Sequence, residues 1–188
     1  MTVVHIDGPR QAPAAGDGAA QLVILVHGYG ADGNDLIGLA PYFARVLPNA
    51  AFVAPNGPEQ CDISAFGYQW FPISQFDPTS RLRGVKSAAP ILDQFIDQEL
   101  QHHGLEEDKL LLIGFSQGTM MSLHVALRRS AQVAGILGYS GILAGPELLA
   151  DEAVSKPPIQ LIHGDMDEML PVANLQEAVD ALGGAGFD

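Results

Sequence analysis

The sequence predicts an α/β fold, a mostly parallel sheet with helices on both faces, forming one domain over residues 1–188. Three observations carry this. Five short runs, 21–26, 51–54, 110–113, 133–139 and 159–162, are almost continuously apolar, as strands buried on both faces are. Stretches of helical composition alternate with them, and that alternation builds parallel sheets. Three of the runs end in loops rich in Gly, Asp or Ser, and in such sheets ligands bind where those loops share an edge.

Taken in order, residues 2–6 read as a short first strand and residues 7–20, rich in Gly, Pro and Ala, as a loop. The run 21–26 ends at His27-Gly28-Tyr29-Gly30-Ala31-Asp32-Gly33-Asn34-Asp35, a tight loop with exposed backbone. Asn34 or Asp35 is expected to cap a helix reaching about Leu47. The run 51–54 closes on Pro55-Asn56-Gly57-Pro58. From there to about Ser80 no period is visible, yet the segment holds Phe66, Tyr68, Trp70, Phe71 and Phe76. An aperiodic stretch of that length is commonly functional, and its aromatics suit a pocket wall or lid as well as a core. Leu82, Val85, Ala89, Leu92, Ile96 and Leu100 then recur at helical spacing over 82–103, with Pro90 expected to kink that helix or begin a second. After the run 133–139, a Gly/Pro loop extends through Pro158 with a short helix at 147–150. The last strand, 159–162, leads into His163-Gly164-Asp165-Met166-Asp167-Glu168-Met169-Leu170-Pro171. A helix over 172–182 follows, stopped by Gly183-Gly184-Ala185-Gly186.

Composition excludes several function classes. A formal charge of −13 argues against nucleic acid or an anionic membrane surface as partner and favours neutral or cationic small molecules. One cysteine, Cys61, rules out an intrachain disulfide framework and fits a reducing compartment. No basic, apolar leader opens the chain and no run has the length of a membrane span, so a cytoplasmic location is expected. No C-x-x-C or H-E-x-x-H pattern points to a metal.

The chemistry gathers on residues 109–129. Gly114-Phe115-Ser116-Gln117-Gly118 is a G-x-S-x-G between an apolar strand and a helix ending on Arg128 and Arg129. Glycine-flanked serines also make plain tight turns. The strand before and the helix after are the context a nucleophile needs: glycines let the backbone bend, and the serine projects above the sheet. Such a hydroxyl requires a base, an orienting carboxylate and oxyanion donors. The Gly-rich loop can present the Tyr29 N–H opposite the Gln117 N–H, and the 163–171 loop offers Asp165 and Asp167.

His27-Gly28-Tyr29-Gly30, Phe52-Val53-Ala54-Pro55-Asn56-Gly57-Pro58, Gln69-Trp70-Phe71, Gly114–Gly118 and His163-Gly164-Asp165-Met166-Asp167 together resemble the α/β-hydrolase carboxylesterases related to acyl-protein thioesterases and lysophospholipases. The resemblance covers about residues 21–187. It implies a cofactor-free hydrolase of acyl esters, with carboxylic esters of short to medium chains expected and thioesters or lysophospholipids as alternatives. It also implies Ser116 as nucleophile, Asp167 as triad acid, Tyr29 and Gln117 as oxyanion-hole amides, and Trp70, Phe71 and Met169 at the substrate.

The resemblance further implies a general-base histidine in a loop after one more strand, beyond the helix at 172–182, whereas this chain stops at Asp188. The last strand, base loop and final helix of the family pattern are therefore expected to be missing. Of the histidines present, His102 and His103 fall at the far side of the sheet, and His124 lies about 10 Å down its helix from Gln117. His27 and His163, at strand ends, are on the right edge, where a loop-tethering role competes with a basic one; His5 is not placed. The run 159–162 is expected to form an exposed apolar edge that can pair with another chain, including a second copy, in a non-catalytic module.

Overall fold

In the computed structural model, which describes residues 4–16, 18–73 and 77–187, the chain forms the following elements in order. They are β1 (Arg10–Gln11), β2 (Gln21–Val26), the short helices α1 (Gly33–Ile37) and α2 (Ala40–Phe43), β3 (Ala50–Val53), and the hairpin strands β4 (Glu59–Gln60) and β5 (Tyr68–Gln69). The long helix α3 (Pro78–His103), β6 (Leu110–Phe115), α4 (Gln117–Ala126) and β7 (Gly135–Tyr139) follow. The single turn α5 (Leu149–Glu152), β8 (Ile159–Ile162) and α6 (Ala173–Gly184) complete it.

The main sheet runs β1-β3-β2-β6-β7-β8, with every neighbour parallel except β1 against β3. Register decides where the loops meet. Val26 pairs with Gly114, Phe115 with Tyr139, and Tyr139 with Ile162. The chain therefore leaves β2, β6, β7 and β8 at one edge, through His27, Ser116, Ser140 and His163.

Strand residues alternate between two cores, as a pleat requires. Leu22, Ile24, Val26 and Leu112 pack with α3, α4 and α6 on one face. Val23, Leu25, Phe52 and Ile113 meet Ala40 and Ala44 of the α1–α2 segment on the other. Cover on this second face is uneven. Beyond β2 it thins, leaving Phe115 48% and Ile162 39% exposed, with Leu137 and Tyr139 half-buried. Among the described residues β8 closes the sheet order, with its outer edge unpaired.

Several local expectations change. Residues 2 and 3 lie outside the described residues, and Val4–Ile6 form no strand; the first strand is β1, where Arg10 reaches buried Glu99 at 2.5 Å. Asp32, not Asn34 or Asp35, caps α1, accepting from the Asp35 N–H while Asp35 answers the Asp32 N–H in a capping box. That helix stops at Ile37 instead of reaching Leu47, because Pro41 has no N–H to give and its ring crowds the preceding turn. The hairpin β4–β5 was not legible, since two-residue strands carry no period. Pro90 does not divide α3. The helix is continuous from an Asp77 cap, which accepts from Thr79 and Ser80, to Gly104 at φ 64, and its buried stripe of Val85, Ala88, Leu92, Phe95 and Ile96 holds it across the lost hydrogen bond. Phe76 lies outside the described residues.

Candidate active site

The strand-to-helix turn is built around Ser116, at φ 54 and ψ −114, a strained backbone for a residue with a Cβ. Its neighbours hold it there. The Ser116 N–H donates to Tyr139 O at 2.9 Å, and the Thr119 hydroxyl donates to Gly114 O and Tyr139 O at 2.8 and 2.9 Å. The two motif glycines are explained by close approach: a Cβ on Gly114 would lie 2.6 Å from the Gly118 carbonyl carbon, and one on Gly118 would collide with the Val26 carbonyl. The sharp turn thus seats the α4 N-terminus directly against β2.

Across from this turn runs the loop after β2. Gly30, at φ 82, turns it, and Gly30 N–H donates to Tyr68 O at 2.9 Å while Tyr68 N–H donates to Ala31 O at 2.8 Å. Among the described residues neither the Tyr29 nor the Gln117 backbone N–H donates to another group, which is what two oxyanion donors require. The Gln117 side chain is fully engaged and buried: its Oε1 accepts from Trp70 N–H at 2.9 Å and its Nε2 donates to Phe71 O at 2.8 Å.

His27 is wholly buried. Its Nε2 accepts from Gly57 N–H at 2.7 Å and its Nδ1 donates to Gly28 O at 2.7 Å. Burial holds its basicity below the ordinary histidine value, against the opposing pull of the Gly28 carbonyl, Asp32 and Asp35. With both ring nitrogens engaged, His27 tethers its loop. His163 turns its Nε2 to Leu170 O at 2.7 Å and lies 3.6 Å from Asp167 Oδ2.

Asp167 Oδ1 accepts from Leu170 N–H at 2.9 Å and Met169 N–H at 3.0 Å. These bonds, the Leu170 bond foremost, hold its carboxyl below the usual range, helped by the Ser140 hydroxyl and His163. Asp165 stays exposed in the turn.

A cavity of about 530 Å³ joins these pieces. Tyr29, Ser116, Gln117, Asp167 and Met169 line it together with Ile63, Ile73, Phe115, Met120, Leu170 and Ser140. No described histidine lines it. Trp70 and Phe71, expected on the substrate wall, are instead buried in the core beneath it, because Trp70 gives its indole N–H to His27 O at 3.1 Å. Ile63, in the loop joining β4 to β5, and Ile73, just after β5, supply the wall in their place. Ser140 is the residue sequence reasoning missed: φ 43, its N–H donating to Ile162 O at 2.8 Å. Its only signal was a Ser-Gly pair at a strand end on this edge. No cluster of three or more metal-ligating side chains occurs among the described residues, and no helix among them is long and apolar enough to cross a membrane.

Comparison with known proteins places this geometry. The phospholipase/carboxylesterase family model matches residues 12–185. The chain is 31% identical to acyl-protein thioesterase 1 of Gibberella zeae over 198 residues, covering 96% of this chain and 83% of that protein. It is 29% identical to esterase YpfH of Escherichia coli, covering 90% of this chain and 72% of that protein. Among solved structures, that of esterase PE8 superposes with a TM-score of 0.94 at 41% identity, covering 98% of this chain and 86% of that one. With a mostly parallel sheet, a strained Ser116 turn and a family match over nearly its whole length, the chain belongs to the phospholipase/carboxylesterase family of α/β-hydrolases.

Proposed function

We propose that Ser116 is the nucleophile of a carboxylesterase acting on short- to medium-chain acyl esters. One observation carries this: Ser116 stands at a strained turn on an apolar cavity that Tyr29, Gln117 and Asp167 also line, and among the described residues the Tyr29 and Gln117 N–H groups donate to no other group. Ser116 Oγ attacks the acyl carbonyl carbon, and the Tyr29 and Gln117 N–H groups bind the oxyanion. An imidazole oriented by Asp167 takes the Oγ proton and returns it to the leaving alcohol, giving an acyl-enzyme. Water, deprotonated by the same imidazole, then releases the acid and restores Ser116. Ile63, Ile73, Met120 and Met169 provide the apolar seat for the acyl chain. The buried, unpaired Cys61 fits a cytoplasmic setting.

The imidazole is the one part no described histidine brings to the cavity, and we infer that it enters across the open edge of β8, which ends beside the Asp167 loop. Hydrolysis of a short-chain aryl ester by this chain and by Ser116→Ala, each with increasing free imidazole, tests the reading. The expected result is a saturable, imidazole-dependent rate in the parent that Ser116→Ala lacks. Identical rates in two folded samples at every imidazole concentration would overturn it. A panel of thioesters and lysophospholipids separates the alternative substrates.

A second reading is favoured by β8 itself. Ile159-Gln160-Leu161-Ile162 carries no charge or proline, its outer edge is unpaired among the described residues, and the adjoining face exposes Phe115 and Ile162. Such an edge recruits another strand, and a homodimer through β8 is the self-complementary form.

A further inference from the structure

The two amides proposed to bind the oxyanion come from separate elements, the β2 loop and the first turn of α4, so something must fix how the loop amide points. The Gly28 carbonyl and the Tyr29 N–H belong to one peptide plane. In a trans peptide these groups point in opposite directions, so whatever holds the oxygen down aims the N–H up. His27 Nδ1 lies 2.7 Å from that oxygen, with Ala31 N–H at 3.3 Å as a weaker second donor.

The partners also dictate the tautomer. Gly28 O only accepts, so Nδ1 carries the proton; Gly57 N–H only donates, so Nε2 is bare. The ring stands between the loop and the Pro55–Pro58 turn, wholly buried against Trp70 at a centroid separation of 5.6 Å. Gly28 makes the constraint necessary. Lacking a Cβ, it is free to let the peptide rotate, and a Cβ there would stand in tight contact, 3.0 Å from Phe115 Cδ1 and 3.2 Å from Ser116 Cβ.

We propose that His27 is a positioning residue: its Nδ1–H holds the Gly28 carbonyl in the core and so aims the Tyr29 amide at the oxyanion, while the acceptor Nε2 fixes the ring through Gly57. The proposal rests on the esterase reading. A hydrogen-bonded path continues from His27 O through the Trp70 indole, and from Trp70 N–H to the Gln117 side chain, so the second amide stands on the same scaffold.

Two substitutions separate aiming from mere support. His27→Asn keeps a donor at the place of Nδ1 and loses the Nε2 acceptor; His27→Gln keeps a polar group near Nε2 and loses the Nδ1 donor. Each is to be crystallised and assayed, in imidazole, for Ser116-dependent ester hydrolysis. His27→Gln is expected to flip the Gly28–Tyr29 peptide and to lower kcat on the order of 10²–10³-fold with KM little changed, the loss typical of one oxyanion donor. His27→Asn is expected to keep the peptide orientation and stay within about tenfold of the parent, a smaller loss than a missing donor causes. An unflipped peptide with parental kcat in a folded His27→Gln protein overturns the proposal, as does an equal loss in both variants. If the parent itself shows no Ser116-dependent hydrolysis, the esterase reading falls, and the peptide orientation in the two crystals still decides whether His27 aims the amide.

Discussion

His124 offers a stability test that reaches the active site through α4. It is buried on that helix, its Nδ1 has no hydrogen-bond partner among the described residues, and it lines a cavity with Ala89, Pro90, Asp93 and Arg128. Burial, reinforced by Arg128 and Lys86 against the opposing pull of Glu152, pushes its pKa from 6.5 down to about 4. The sign follows from proton counts. Between those values the unfolded chain binds a proton that the folded chain refuses, so stability is lost as pH falls through this window. At about 1.36 kcal/mol per unit, the loss is roughly 2 kcal/mol at pH 5 and about 3 kcal/mol near pH 4. His124→Leu keeps an apolar side chain in the site and removes the titration. Urea unfolding of both proteins at pH 7.5 and pH 5 is the assay, because the variant cancels the contribution of every other group. The stability difference between variant and parent is expected to shift by about 2 kcal/mol in favour of the variant at pH 5. A difference that stays constant between the two pH values would refute the reasoning.

Two further outcomes follow from the packing and the edge. Gly118→Ala drives a Cβ into the Val26 backbone carbonyl, which has no freedom to yield, and should cost about 3 kcal/mol or more, read as a lowered urea midpoint; unchanged stability would mean that the strand–helix contact is looser than it stands here. Gln160→Lys puts a charge on the exposed outer strand, and should convert self-associated protein to monomer in analytical ultracentrifugation; a parent monomeric at every concentration would dismiss the homodimer.

How much of this was legible in the sequence depended on how local each signal was. β8 was read residue for residue, and β2 and most of β6 likewise, because a continuous apolar run is a property of neighbouring residues alone. The polar positions of the site were legible for a related reason. Once the strands are parallel, register brings their C-terminal ends to one edge and the loops of Tyr29, Ser116 and Asp167 to one cavity, whereas the preference for Asp167 over Asp165 came from the family resemblance and not from its place in the chain. The walls were not legible. Trp70 and Phe71 looked like pocket residues because they sit in an aperiodic segment, yet the Gln117 side chain, far away in sequence, ties both backbones into the core and leaves the wall to Ile63 and Ile73. Helix breaks failed in both directions for one physical reason. Pro41 ended a helix with few buried side chains to hold it, whereas Pro90 was carried through one with a long buried stripe. The same asymmetry governs His27: its position marked it as a candidate base, and only the two groups facing its ring nitrogens, Gly28 O and Gly57 N–H, make it a tether. A residue's chemistry is written in its type, but its role is set by which of its atoms are already engaged, and those partners come from across the fold.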